Sequence, residues 1–137
     1  MSISDSENIV EQYLGIQYKE FGRDRTGLDC YGLILLFYNE QLNIKLPDFH
    51  AEHEDKTFTF SSLKQTYWSL FKRIESPKKY DLAAFTQLGG KLTNHIGIMI
   101  DDNSFLHVPK DQMVVVNKLS HRQYEKAFRG FFKINNG

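Results

Sequence analysis

The pattern of apolar residues changes type near Pro77. Before it, apolar residues recur at helical spacing in three stretches, and after it they fall into short runs typical of β-strands. Turn-forming residues such as Gly89-Gly90 and Asp101-Asp102-Asn103 separate these runs. The runs are DLAAF, HIGIMID, SFLHV, MVVVNKL and FRGFFKI. Helices first and strands afterwards predict an α+β fold, with N-terminal helices packed on a C-terminal antiparallel sheet.

Three helices are predicted in the first half. The first covers about residues 5–14 and ends at Gly15, the second runs from Cys30 to before Pro47, and the third carries Leu63, Tyr67, Leu70, Phe71 and Ile74. The stretch 17–28 contains two glycines and a mixed-charge run, so a loop is expected there. With 137 residues in all, we expect one domain, 1–137.

Charge and hydropathy exclude several classes of function. The chain has 17 Lys+Arg and 17 Asp+Glu, so no net field attracts nucleic acid or an anionic membrane surface. We expect neither as a partner. No signal peptide and no apolar run of roughly 18 residues are apparent, which predicts a soluble protein made in the cytoplasm.

Cys30 is the only cysteine, so an intrachain disulfide is excluded. Its expected place is the first turn of the second helix, where the helix dipole and free N–H groups favour a thiolate. This predicts a nucleophile whose thiol pKa is lowered. The alternative is that Cys30 is an inert small hydrophobe at the start of a buried helix.

His95 begins one β-type run and His107 lies in the next, with a hairpin turn expected between the two runs. Paired strands bring such residues side by side, so His95 can act as a base and His107 can orient it. The alternative for each is a structural or surface histidine. His50, His53 and His121 are expected on the surface. A zinc site formed by Cys30, His95 and His107 is conceivable, but nothing in their spacing favours it.

The segment YLGIQYKEFGRDRTGLDCYGLILLFY resembles the signature of NlpC/P60 domains, in which Y-L-G-x-x-Y leads to G-x-D-C-x-G-L and a helix. DLAAF followed by HIGIMIDDNSFLHV is similar to that family's strand pair with the catalytic histidine. The resemblance implies a papain-like α+β fold without a cofactor. It also implies a cysteine peptidase that cleaves bacterial cell-wall stem peptides, commonly between D-glutamate and a diamino acid.

Carried over by position, the resemblance makes Cys30 the nucleophile, His95 the base and His107 the orienting group. It places Tyr18 beside the nucleophile, where its hydroxyl assists the oxyanion or binds substrate, and it assigns Asp29 to the substrate pocket. Tyr31 stands where many members have serine, so it is also expected at the substrate pocket.

Two departures from the family pattern guide the choice of function. An aromatic Tyr31 after the cysteine resembles phage-tail-associated members, which predicts delivery by a phage tail or a secretion apparatus. Tyr80 stands where a glycine usually precedes Asp-Leu on the first strand. The alternatives are a tail-assembly or structural protein that retains the hydrolase fold, and another amide or ester hydrolase or acyltransferase.

Overall fold

The elements of the fold follow the predicted order of helix and then sheet. The computed structural model describes residues 8–48, 70–86 and 93–135. After a helical segment at 8–11, its elements are β1 (Arg23–Asp24), β2 (Gly27–Leu28), α1 (Cys30–Leu42), β3 (Phe71–Ile74), β4 (Leu82–Thr86), β5 (Thr93–Met99), β6 (Ser104–His107), β7 (Val115–Lys118), α2 (Arg122–Ala127) and β8 (Phe128–Ile134). The predicted α+β class is confirmed. Within these ranges, neither helix has the length and hydropathy needed to cross a bilayer.

Among the residues that the structure describes, the main sheet has six strands in the order β3-β8-β4-β5-β6-β7. Every neighbouring pair is antiparallel, and β8 lies between β3 and β4. All five predicted strands are therefore present. β1 and β2 form a separate small hairpin within the stretch predicted to be a loop.

One prediction of local structure is wrong, and one helix was not predicted. Phe71 and Ile74, assigned to a third helix, lie in β3, where they pair with Ile134 and Phe131 of β8. Pairing with a strand so distant in sequence overrides a local helical spacing. The rest of that helix up to residue 69, His50, His53 and the Gly89-Gly90 turn lie outside the described residues. The helix α2 was not predicted, because its sequence RQYEKA is polar and has no apolar face.

The sheet buries both of its faces. On one face, α1 packs its Leu33, Ile34 and Phe37 on a large core with residues of β4, β5, β6 and β8. On the other, a smaller core of Ala83, Phe85, Met99 and Phe105 is covered by residues of α2 and β8. Because side chains alternate along a strand, each of β4, β5 and β6 contributes to both cores.

The first turn of α1 packs closely against the segment of the β1–β2 hairpin, and two glycines make this close approach possible. A Cβ on Gly32 would lie 2.0 Å from the carbonyl oxygen of Gly22, and a Cβ on Gly22 would lie 2.2 Å from that of Gly27. Neither position accepts a side chain unless the backbone moves. The glycine two residues after Cys30 therefore lets the start of the helix press against the hairpin.

Tyr80 explains why a glycine is usual at its position. Its φ is 73°, in the left-handed region that favours glycine. Packing compensates for this conformation: the Tyr80 ring meets Phe37 edge-on at 5.0 Å, and its N–H donates to the Met99 carbonyl at 2.7 Å. The Tyr38 hydroxyl donates to the Tyr80 carbonyl. The turn into β4 is thus held by contacts with α1 and β5.

We predict that Gly32→Ala lowers the free energy of unfolding by about 1–3 kcal/mol, the usual cost of overpacking a tight contact. Urea denaturation of the variant measures the change. Asn39→Ala, at an exposed position of the same helix, is the matched control and should be neutral or slightly stabilising. A Gly32→Ala protein as stable as wild type would contradict the close approach of α1 to the hairpin.

Candidate active site

Cys30 is the first residue of α1, as predicted. Asp29 is the N-cap residue, with extended backbone, and its side chain accepts a hydrogen bond from the Gly32 N–H at 2.7 Å. The Cys30 side chain is partly exposed. The backbone N–H groups of Ile96 and Tyr31 lie close enough to its sulfur to favour the thiolate form. The thiol therefore lies against β5, at the residue that follows His95.

Asp29 holds the backbone around the cysteine with both carboxylate oxygens. Besides capping the helix, Oδ1 accepts from Arg23 Nη1 at 2.7 Å, and Oδ2 accepts from the Phe21 N–H at 3.2 Å. Arg23 is held in turn by Asp48, at 2.9 Å from its Nε. The family resemblance assigned Asp29 to the substrate pocket, and this structural role was not predicted.

His95 and His107 are in contact, as the sequence predicted. His95 Nε2 and His107 Nδ1 are 2.7 Å apart. Strands β5 and β6 pair only at Ile98–Leu106 and Met99–Phe105. Extending that register by one residue sets Gly97 opposite His107 and makes His95 its diagonal neighbour. The turn predicted between the two histidines is present, with Asp101 Oδ1 accepting from the N–H groups of Asn103 and Ser104.

Gly97 is a residue of this site that sequence reasoning missed. A Cβ there would lie 3.0 Å from Phe105 Cδ2 and 3.2 Å from the Cβ of His107. Any side chain at position 97 would therefore crowd the side chains of Phe105 and His107. A glycine between two isoleucines of a predicted strand was the available signal.

The hydrogen-bond chain continues beyond the two histidines. His107 Nε2 lies 2.7 Å from Asn117 Oδ1 on β7, and the Tyr124 hydroxyl of α2 donates to the same oxygen at 3.2 Å. Sequence reasoning missed both residues. The single amide in the apolar run MVVVNKL was the signal for Asn117, whereas nothing marked Tyr124 within an unpredicted helix.

Burial keeps the groups of this site neutral. It lowers the pKa of His95 to about 3, with a further decrease from the charge of His107. It also lowers the pKa of His107 to about 4, although the bond to Asn117 acts in the opposite direction. The Cys30 thiol has its pKa raised to about 12, first by burial and then by the negative charge of Asp29.

The expectation of a lowered thiol pKa at Cys30 is therefore wrong for the free protein. The helix N-terminus is where the sequence placed it, but Asp29 occupies that terminus with a full negative charge. Hydrogen bonds from Ile96 and Tyr31 lower the thiol pKa by less than burial raises it. A neutral thiol beside a neutral imidazole is the resting state that follows.

The two tyrosines assigned to substrate binding have different environments. Tyr18 is half-buried, and burial and then the charges of Asp29 and Cys30 raise the pKa of its phenol. Its predicted role beside the nucleophile stays a prediction. Tyr31 is 1% exposed, and its hydroxyl donates to the Pro47 carbonyl at 2.8 Å. The prediction that the Tyr31 side chain contacts substrate is wrong, because α1 turns that side chain into the core.

A cavity of about 270 Å³ opens beside the two histidines. Apolar side chains from β4 and α2 form part of its wall, with Lys110, Gln112 and Gln123 among its polar residues. It is large enough for a side chain or a short segment of a bound peptide. In the described ranges, no three His, Cys, Asp or Glu side chains are grouped so as to hold a metal ion.

The sequence profile of the NlpC/P60 family matches residues 15–133. This chain belongs to the NlpC/P60 family. It is 23% identical over 132 residues to the murein DD-endopeptidase MepS/murein LD-carboxypeptidase of Escherichia coli K12, covering 93% of this chain and 62% of that protein. The chain thus spans less than two thirds of the length of this relative.

Solved structures confirm the NlpC/P60 fold. An NLP/P60-family protein similar to lipoprotein, from Staphylococcus aureus, superposes with a TM-score of 0.68 at 20% identity, covering all of this chain (100%) and 43% of that one. RipD of Mycobacterium tuberculosis gives 0.61 at 14% identity, covering 100% and 99%. RipD is described as a non-catalytic NlpC/P60 domain protein adapted to peptidoglycan binding. Membership of the NlpC/P60 family therefore does not by itself establish catalysis.

We predict that Asp29→Asn lowers the pKa of the Cys30 thiol below about 12. Asparagine caps helices as well as aspartate does but carries no charge, and it leaves Arg23 without one of its counter-ions. The pH dependence of alkylation by iodoacetamide measures the pKa. Glu11→Gln removes an exposed charge elsewhere and is the control. An unchanged or higher thiol pKa in Asp29→Asn would contradict the role given to Asp29.

We also predict that His107→Gln makes stability less sensitive to acid. The pKa of His107 is lowered from 6.5 to about 4, so between these values the unfolded chain binds a proton that the folded chain excludes. Stability is therefore lost as pH falls through this window, by up to about 1.4 kcal/mol per pH unit for one histidine. Urea denaturation from pH 4 to 7 measures this slope, which His107→Gln should reduce. The exposed His121→Gln is the control, and equal slopes for His107→Gln and wild type would contradict a neutral buried His107.

Proposed function

We propose that this NlpC/P60 domain is a cysteine hydrolase that cleaves amide bonds in bacterial peptidoglycan peptides. The observation that supports this most strongly is the arrangement around Cys30. Its sulfur lies close to the backbone N–H of Ile96, and the adjacent His95 is held by His107 at 2.7 Å. This arrangement supports the assignment of Cys30 as nucleophile, His95 as base and His107 as the group that orients the base.

In the first half of the proposed reaction, the Cys30 sulfur attacks the carbonyl carbon of the amide. His95 takes the thiol proton as the sulfur–carbon bond forms, so a stable thiolate in the free protein is not required. The base is Nδ1, because Nε2 is committed to His107. When the tetrahedral intermediate collapses, the protonated His95 gives this proton to the leaving amine, and a thioester on Cys30 remains.

In the second half, water hydrolyses the thioester. His95 takes a proton from the water, the hydroxide oxygen bonds to the acyl carbon, and the carbon–sulfur bond breaks. The proton then passes to the Cys30 sulfur, which restores the neutral thiol and imidazole and releases a carboxylic acid. No cofactor is needed in either half, and the prediction of a metal-free reaction stays a prediction.

Tyr18 and the start of α1 are the proposed oxyanion donors. The backbone N–H of Cys30 lies in the first turn of the helix, where N–H groups have no partner within the helix. Burial raises the pKa of the Tyr18 phenol, so its hydroxyl stays protonated and able to donate. In this proposal both groups donate to the substrate oxygen on which the negative charge develops.

The cavity beside His95 fits the leaving-group side of a stem peptide. A base that returns its proton to the leaving amine must lie on that side of the broken bond. Lys110 gives the cavity a cationic side chain, which suits the free carboxylate of a diamino acid. The cavity is therefore compatible with cleavage between D-glutamate and a diamino acid, the bond that the sequence resemblance implied.

Peptidoglycan binding without catalysis is the second candidate, because RipD shares the fold and is described as non-catalytic. Transfer of the acyl group to an acceptor other than water is a third outcome of the same chemistry. Delivery by a phage tail or a secretion apparatus stays a prediction from the sequence. Detection of the protein in purified phage particles or in secreted fractions tests it.

We predict that the protein releases peptide fragments from purified peptidoglycan and that mass spectrometry identifies a new amino terminus on the diamino acid. Cys30→Ala removes the nucleophile and His95→Ala the base, so both should abolish release. His107→Gln, which keeps a hydrogen-bonding side chain, should retain measurable release.

The control is His121→Gln, which lies outside the site and should match wild type. Fragments cut only at peptide cross-links would replace the proposed bond with another. Binding of wild type and Cys30→Ala to peptidoglycan without any release would instead establish the binding function and contradict a hydrolase.

A further inference from the structure

We propose that Asn117 is a positioning residue that determines which ring nitrogen of His107, and through it of His95, carries the proton. The arrangement of protons is a property of the folded chain, and its consequence for turnover rests on the proposed function. None of the sequence motifs around Cys30, His95 or His107 includes Asn117. Its role follows from its place on the neighbouring strand.

The sheet register sets Asn117 against His107. Strand β7 pairs with β6 so that Phe105 faces Asn117 and His107 faces Val115. Asn117 is therefore the diagonal neighbour of His107 on the same face of the sheet, as His95 is from the other side. Three adjacent strands thus present a continuous row of polar side chains, which the Tyr124 hydroxyl of α2 closes.

The direction of each hydrogen bond follows from Asn117 Oδ1, which has no proton to give. It accepts from the Tyr124 hydroxyl at 3.2 Å, and the nitrogen 2.7 Å away, His107 Nε2, must also donate to it. A neutral imidazole carries one N–H, so His107 Nδ1 is bare and accepts. His95 Nε2, at 2.7 Å from it, must then be the donor.

The consequence falls on the far nitrogen of His95. Once the single proton of this neutral ring is on Nε2, Nδ1 keeps a free lone pair and can accept the thiol proton of Cys30. In the opposite arrangement the proton sits on His95 Nδ1, and the ring cannot act as a base there. Asn117 thus prepares the base from two hydrogen bonds away.

Burial makes this arrangement stable. His107 is 1% exposed, and the pKa values of both histidines are lowered by burial, so each ring holds one proton at neutral pH. The titratable or charged groups that face His107 are His95 from β5, Tyr124 from α2 and Lys110 across the cavity. Among these described neighbours there is no carboxylate to replace Asn117 as acceptor.

The test combines two measurements on the full chain. Nitrogen-15 NMR of labelled histidines reads the tautomers without any substrate, and wild type should show Nε2–H for both His107 and His95. Asn117→Leu removes the acceptor, so His107 should lose its single Nε2–H tautomer. With peptidoglycan as substrate, its turnover should fall on the order of tenfold or more while KM changes little, because Asn117 stabilises the orientation of the base.

The variant Asn117→Asp tests whether Asn117 positions the histidines or only stabilises the fold. It keeps the acceptor and therefore the tautomer, but its carboxylate raises the pKa of His107. A protonated His107 no longer accepts from His95, so turnover should be lost at a higher pH on the acid side than in wild type. Val116→Thr, an exposed neighbour on β7 that faces away from His107, is the control and should change neither measurement.

A wild-type His107 in the Nδ1–H tautomer would overturn the proposal. So would a folded Asn117→Leu protein with wild-type turnover, or an Asn117→Asp protein with an unshifted pH profile. Failure of the proposed function has a different signature: wild type then shows the expected Nε2–H tautomers but no release from peptidoglycan. In that case the rate of Cys30 alkylation in Asn117→Leu replaces turnover, and a rate equal to that of wild type would overturn the positioning role.

Discussion

The carboxylate of Asp29 is the interaction on which the arrangement of the site depends. It caps α1 through the Gly32 N–H, and it holds the preceding loop through the Phe21 N–H and Arg23. These bonds fix where the helix begins and therefore where Cys30 lies. Burial raises the thiol pKa most and the Asp29 charge raises it further, so the residue that positions the nucleophile also helps to keep it protonated until a base removes the proton.

The site forms where β5 and β6 separate. Cys30 packs with the core on the α1 face, whereas the rings of His95 and His107 lie against Phe85 and Phe105 of the other core. Because β5 pairs with β6 at only two positions, the N–H of Ile96 is available to the thiol. The missing side chain of Gly97 leaves room for the two histidines to meet. The catalytic groups proposed for opposite faces of one sheet can therefore act together.

The features of this site that depend on the local sequence could be predicted. The place of Cys30 at a helix start and the contact of His95 with His107 follow from spacing and from a short turn. Asn117 and Tyr124 were not predictable, because their contacts depend on the register of β7 and on a short polar helix. Phe71 and Ile74 were assigned to a helix for the same reason, since only their pairing with β8 makes them a strand.

The effect of burial and of neighbouring charge on the thiol pKa could not be predicted from the sequence either. A helix N-terminus alone predicts a thiol with a lowered pKa. Residue types reveal neither the burial of Cys30 nor the hydrogen bonds that both carboxylate oxygens of Asp29 accept. The wrong prediction for Tyr31 has a similar cause, because the direction in which its side chain leaves α1 places it in the core. Tyr80 is the opposite case: the departure from glycine was visible in the sequence, and its positive φ gives the reason glycine is usual there.

The most direct test of the proposed chemistry is to trap the thioester. Mass spectrometry of the intact protein, quenched in acid within the first turnover on a soluble stem peptide, should show wild type heavier by the mass of the acyl fragment. Peptide mapping should place that mass on Cys30, and Cys30→Ala should show none. Release of product from the peptide with no adduct on Cys30, and with undiminished activity in Cys30→Ala, would contradict a cysteine nucleophile in this NlpC/P60 domain.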